Sequence, residues 1–139
     1  MEWFLKVLRQ YADFKGRARR KEYWMFSLFA GLFGLVFYVF LIAGILLNSS
    51  SLMAVGVGLY AIYGLGIMLP ALAVSVRRLH DVGKSGWMLL VSIIPFVGSI
   101  WLLVLVCTDS QYGDNQWGPN PKDIGNQSEI NEIGETVTY

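Results

Sequence analysis

What the chain lacks narrows its chemistry first. A single cysteine, Cys107, excludes an internal disulfide, and one cysteine with one histidine, His80, cannot supply the three or four ligands of a zinc site. Charge is scarce as well. Charged residues make up 15% of the chain against 55% hydrophobic ones, and three runs carry no charge at all: Tyr23 to Leu47, Leu52 to Val76 and Trp87 to Cys107. A water-soluble domain of 139 residues does not tolerate such stretches, so the bilayer is the solvent that the composition fits. No cofactor, metal or nucleic-acid partner is expected.

What is present is segregated. Met1 to Phe14 places Trp3, Phe4, Val7, Leu8 and Tyr11 at helical spacing with Lys6, Arg9, Gln10 and Asp13 on the other side, which predicts a short amphipathic helix. Such a helix can lie along the membrane surface, pack on the protein's own spans, or do both. Lys15, Arg17, Arg19, Arg20 and Lys21 follow and abut Tyr23 and Trp24, the basic-then-aromatic signature of a cytoplasmic membrane border. The apolar run continues well past a signal-peptide core and has no small-residue cleavage site, so the segment reads as an uncleaved anchor.

Tyr23 to Leu47 and Leu52 to Val76 are 25 residues each, and Trp87 to Cys107 is 21. Each reaches the roughly 20 residues that cross a hydrocarbon core of about 30 Å. The expectation is an all-α integral membrane protein with three transmembrane helices (about 23–47, 52–76 and 87–107). Residues 1–21 form a cytoplasmic amphipathic and basic segment, 22–107 the transmembrane domain, and 108–139 a polar, turn-rich tail, disordered after about residue 124. The third span is broken at Pro95. A kinked single crossing is preferred there, and a re-entrant hairpin is the alternative. Small residues four apart, Ala30 with Gly34 and Ala54 with Gly58, together with Gly64, mark helix-packing positions; the alternative is a glycine-lined pathway.

Orientation follows from lysine and arginine. Seven precede the first span, none lies in the Asn48–Ser51 turn, three lie in the Arg77–Trp87 hinge and one lies in the tail. The amino terminus and hinge are therefore expected to face the cytoplasm and the Asn48 turn the other side.

The hinge, Arg-Arg-Leu-His-Asp-Val-Gly-Lys-Ser-Gly-Trp from 77 to 87, concentrates the chain's polar chemistry. His80 beside Asp81 is not an acid–base dyad, because adjacent helical side chains diverge by about 100°. Asp81 is better read as a counter-ion for Arg78 or Arg77, three and four residues earlier. Gly83-Lys-Ser85 lacks the first glycine and the preceding strand of a phosphate loop, and Asp114 to Gly118 lacks a calcium ligand at Gln116. Gly83 is expected to end the second helix and Ser85 to cap the next.

Three motifs, Phe14-x-Gly-Arg-x-x-Arg-x-Glu-Tyr-Trp24, Pro70 followed by Arg77-Arg-Leu-His-Asp-x-Gly-x-Ser-Gly-Trp87, and Asn115-x-Trp-Gly-x-x-Pro121, resemble those of the family catalogued as domain of unknown function 805. That family comprises small bacterial inner-membrane proteins. The pattern more usually has Tyr where this chain has Trp117, which keeps the aromatic ring without the hydroxyl. The resemblance implies a bacterial inner (plasma) membrane location and no assigned activity.

The function expected from the residues is a non-enzymatic membrane assembly or interaction module. Its arginine-rich cytoplasmic face, Arg17, Arg19, Arg20, Lys21, Arg77, Arg78, His80, Asp81 and Lys84, would bind anionic lipid or a protein partner, with a second copy or another membrane protein as candidates for assembly. A small transporter or channel component is one alternative. A membrane enzyme acting on a lipid head group through His80 and Asp81 is the other.

Overall fold

The computed structural model describes residues 1–127 and Asn131. Among them there is no strand. The elements in order are α1 (Glu2–Arg9), α2 (Arg20–Leu46), α3 (Ser50–Asp81), a 3-10 helix (Gly86–Ile93) and α4 (Val97–Cys107).

α2 and α3 form an antiparallel hairpin, and both are long and apolar enough to cross a bilayer, with mean hydropathies of 2.5 and 2.0 in their most apolar stretches. Only 6% of each stretch is buried inside the protein, the reverse of a helix in a soluble core. The turn between them uses Asn48 at φ 49°, a left-handed conformation that asparagine tolerates better than most residues, and Ser49, whose hydroxyl accepts from Leu52 N.

The helices touch most closely near this turn. A Cβ on Gly44 would lie 2.5 Å from Met53 N, and one on Gly56 would lie 2.7 Å from Leu41 N, so backbone meets backbone there. The packing positions expected from sequence divide accordingly. A Cβ on Gly34 would lie 3.3 Å from the Tyr63 ring, and the Tyr63 hydroxyl donates to Ala30 O. Ala54, Gly58 and Gly64 instead face outward, and a Cβ on either glycine would meet open space. A four-residue spacing names small residues on one helix but not which of its faces finds the partner.

α1 packs on the protein's own spans. Phe4 and Val7 are buried with Ala18, Phe26 and Val74, and the Phe4 ring stacks on Phe26 with centroids 5.6 Å apart. Beyond α1, the Tyr11 hydroxyl donates to Gly66 O. Pro70 lies four residues after Gly66 inside α3 and has no N–H to offer that carbonyl, so Tyr11 supplies the donor that proline removes.

The Trp87–Cys107 run does not form a third long helix, which corrects the expected kinked crossing. It reverses at Ile94–Phe96, where Phe96 adopts φ 62°, and the 3-10 helix and α4 pack side by side. Gly98 permits this contact, because a Cβ there would fall 1.9 Å from Val91 O. At about 2.0 Å per 3-10 residue and 1.5 Å per α-helical residue, each arm is roughly 16 Å long, half a hydrocarbon core. Both arms start and finish at the last turns of α3: Gly86 packs on Val76, while Arg78 Nε donates to Val106 O at 3.1 Å. Gly83, at φ 73°, follows the end of α3, and Ser85 Oγ accepts from Trp87 N at the start of the 3-10 helix.

The tail therefore emerges beside the hinge. Gly113 N donates to Ile124 O, Asn120 and Asn126 are buried and bonded to each other, and Gln127 N reaches Asp114. The disorder expected after about residue 124 falls, past these bonds, mostly outside the described residues.

Candidate functional site

The polar end of the α2–α3 hairpin gathers three segments distant in sequence: residues 10–19, the last turn of α3 with the hinge, and the tail from Thr108. Ala18 N donates to Arg77 O at 3.0 Å and Gln111 N to Asp81 O at 2.8 Å, so the first and third segments are each tied to the end of α3.

Two buried carboxylates organise the side chains. Asp81, fully buried, accepts from Arg17 Nε at 3.0 Å, from Ser110 Oγ at 2.6 Å and from Arg78. Glu22, also fully buried, accepts from Lys6 Nζ at 2.7 Å and from Arg77 at 2.8 Å. Arg77 additionally donates to Gln10 Oε1. Its Nε and second Nη are buried without a hydrogen-bond partner in the protein.

Each carboxylate faces two cations, and backbone carbonyls balance the excess. Arg17 sends its remaining donors to Gly113 O at 2.7 Å, Gln111 O at 2.6 Å, Gly118 O at 3.3 Å and Asp81 O at 3.4 Å. Arg78 donates to Val106 O, Ala18 O and Thr108 O, and Arg20 to Cys107 O at 2.9 Å. Several of these acceptors are the last carbonyls of α3 and α4, which have no partner within their helices and lie at the negative end of the helix dipole. A planar five-donor fork suits such a set, which a lysine ammonium cannot reproduce.

The tail completes the site. His80 is 8% exposed; its ring stacks on Trp117 with centroids 4.5 Å apart and planes 8° apart, and its Nδ1 lies 3.2 Å from Gly16 O. Asn115 Nδ2 donates to His80 O at 2.9 Å. Asp109 stands on the rim, paired with Arg20 at 2.9 Å and with Lys122. The hydrogen bond from Lys122, with the Ser110 N–H second, lowers the Asp109 carboxyl to about 2.

The residues expected to form one basic binding face thus separate into two groups. Arg17, Arg77, Arg78 and Asp81 are interior, with His80 nearly so, and the arginines are engaged with the protein's own carboxylates and carbonyls. Their burial corrects the picture of a continuous surface patch. Arg19 and Arg20 are partly exposed, Arg19 lying 5.8 Å from the centre of the Trp3 ring, while Lys21 and Lys84 are exposed. His80 and Asp81 do not bond through their side chains, since the histidine turns to Gly16 and Trp117. The sequence motifs include Trp117 but not Lys6, Gln10, Ser110 or Asn120, which the structure adds to the site. Nothing in local spacing pairs residues so far apart, and most acceptors here belong to the backbone.

Comparison with known proteins bears on this arrangement. The family model described as "Protein of unknown function (DUF805)" matches residues 11–119, which takes in the network's Arg17, Glu22, Arg77, Arg78 and Asp81. Inner membrane protein YhaI of Escherichia coli (strain K12) is 43% identical over 123 residues, 88% of this chain and 97% of that protein. Inner membrane protein YhaH of the same strain is 43% identical over 122 residues, 88% of this chain and 98% of that protein. No solved structure matches.

Proposed function

This chain belongs to the family of proteins of unknown function DUF805, and from that premise we propose that it is a multi-pass inner-membrane interaction module without enzymatic activity. The amino terminus, hinge and tail would share the cytoplasmic side. α2 and α3 would cross the membrane, and the 3-10 helix with α4 would dip in from the cytoplasmic face and return. The counts of basic residues on the connecting segments support that orientation.

One observation carries the reading: the buried arginines and carboxylates are spent on joining the amino-terminal segment, the hinge and the tail into a single lobe. What this lobe presents outward is Lys15, Lys21 and Lys84, with partly exposed Arg19 and Arg20, around a rigid base. Each basic group near an anionic surface adds about 1 kcal/mol of attraction, which suits anionic lipid or an acidic protein partner. The alternatives draw less support. Gly58 and Gly64 face outward instead of into a passage, and His80 and Asp81 do not act on one another.

Two measurements test the proposal. With Cys107 changed to Ser, a cysteine at exposed Gln116 should react with an impermeant maleimide only after cells are opened; labelling from outside intact cells would refute the orientation. In choline-lipid nanodiscs the full chain should enrich a fluorescent phosphatidylglycerol, and Lys21→Ala with Lys84→Ala should weaken this in a salt-dependent way. Enrichment unchanged by both substitutions would refute the basic face.

A further inference from the structure

Beside the arginine network lies a cavity of about 550 Å³ that the network does not use. Leu72 and Val76 of α3 form one wall, Leu89 and Leu90 of the 3-10 helix the other, and His80 with Trp117 closes the polar end. Its size falls within the roughly 300–1,000 Å³ of small-molecule sites, and its make-up, apolar walls with a few convergent polar groups, is also theirs.

We propose that this cavity holds one ethanolamine phospholipid, with an acyl chain between the α3 and 3-10 walls and the ammonium group at His80. The first argument is location. Leu72 is 43% exposed and Leu90 55%, so the walls belong to outward-facing surfaces, and the cavity opens toward the surroundings of the apolar helices. Its polar end stands one residue from Asp81, where the charged network begins. A molecule resting there straddles an apolar–polar boundary. A water-soluble metabolite would face leucines, and a purely apolar molecule would leave the polar end unsatisfied.

The second argument is the state of His80. Gly16 O can only accept, so the 3.2 Å contact requires the hydrogen on Nδ1, and in the neutral ring Nε2 is left as an acceptor. Among the described residues Nε2 has no partner, and the ring, 8% exposed and held flat against Trp117, lines the cavity. A neutral acceptor fixed in place at an apolar cavity selects a donor. Ammonium N–H groups make a charge-assisted bond to it, whereas a choline head group has no N–H to give. Ser85 also lines the cavity, and the Lys84 ammonium beside it is exposed; both donate, as a phosphate requires.

The test uses the full chain in mild detergent, stripped of lipid, re-exposed to mixed micelles of phosphatidylethanolamine, phosphatidylcholine and phosphatidylglycerol, and read by native mass spectrometry. One phosphatidylethanolamine should remain bound per chain. Leu72→Trp and Leu90→Trp, each filling the cavity from an exposed position, should reduce retention about tenfold or more with unchanged thermal unfolding. His80→Phe keeps a ring for Trp117 but removes the acceptor; it should retain lipid and lose the preference for ethanolamine over choline. No retained lipid, retention unaltered by both tryptophans, or, by the unmodified chain, equal retention of phosphatidylcholine or an equal, tryptophan-sensitive retention of phosphatidylglycerol each overturns the proposal. These results leave the basic-face reading intact, because the variants used here, at Leu72, Leu90 and His80, leave Lys21 and Lys84 in place.

Discussion

The two ends of the α2–α3 hairpin are fastened by opposite means. Near the Asn48 turn there is no charge, and Gly44 and Gly56 let backbones approach until a single methyl group would clash. At the other end Glu22 and Asp81, both fully buried, hold Arg77, Arg78 and Arg17. Between apolar surfaces in lipid there is no hydrophobic drive to associate, so close packing is what remains; where chain segments must be gathered from three places, ion pairs with satisfied hydrogen bonds define which segment goes where.

Breaking the charged end should cost most. Asp81→Asn leaves Arg17 and Arg78 without their countercharge inside the protein, and removing one member of such a buried set costs about 3–5 kcal/mol. In a thermal or denaturant unfolding series this variant should be the least stable, and wild-type stability would show that the arginines are balanced by carbonyls alone. Breaking the uncharged end should cost less. Gly44→Ala or Gly56→Ala forces overpacking worth about 1–3 kcal/mol, whereas Gly58→Ala, facing open space, should stay within about 0.5 kcal/mol of wild type. Equal effects at Gly56 and Gly58 would mean that the close crossing is misplaced.

A smaller effect lies between the ends. Tyr11→Phe leaves Gly66 O without the donor that replaces the Pro70 N–H, and about 1 kcal/mol should be lost. Pro70→Ala in the same background should recover it, since an alanine N–H can serve that carbonyl. The smallest effect is on the rim. The Asp109 carboxyl is lowered from 3.8 to about 2, so its ionised form is favoured in the folded state; its contribution is present above 3.8 and disappears as pH falls toward 2. Because the group is exposed, solvent screening keeps that contribution slight. Lys122→Gln should move the Asp109 titration upward, as followed by carboxyl-carbon resonances.

Much of the hairpin was legible in the sequence, since an uncharged run of 25 residues has few other fates. α3 runs on to Asp81, in keeping with Gly83 as its end, but Arg77 and Arg78, past the expected edge of the span at Val76, do not reach water there and find partners inside. Charge alone marks a border without saying whether the charged side chain looks outward. The reversal at Pro95 was not legible either: proline permits both a kink and a turn, and the outcome rests on Phe96 adopting a positive φ and on Gly98 lying against Val91. The motif around Arg17 was visible as a string of residues. Its partners were not, because the acceptors of Arg17 are mainly backbone carbonyls about a hundred residues away, at Gln111, Gly113 and Gly118.

That separation orders events during synthesis. Arg17 leaves the ribosome among the first residues, yet most of the carbonyls that surround it are made about a hundred residues later, after both long apolar helices have been synthesised. A chain halted before Gln111 would carry an arginine fork with most of its acceptors not yet translated. The lobe can close only once elongation has passed that point, which makes the docking of the tail a chemical record that every helix from α1 to α4 has been made.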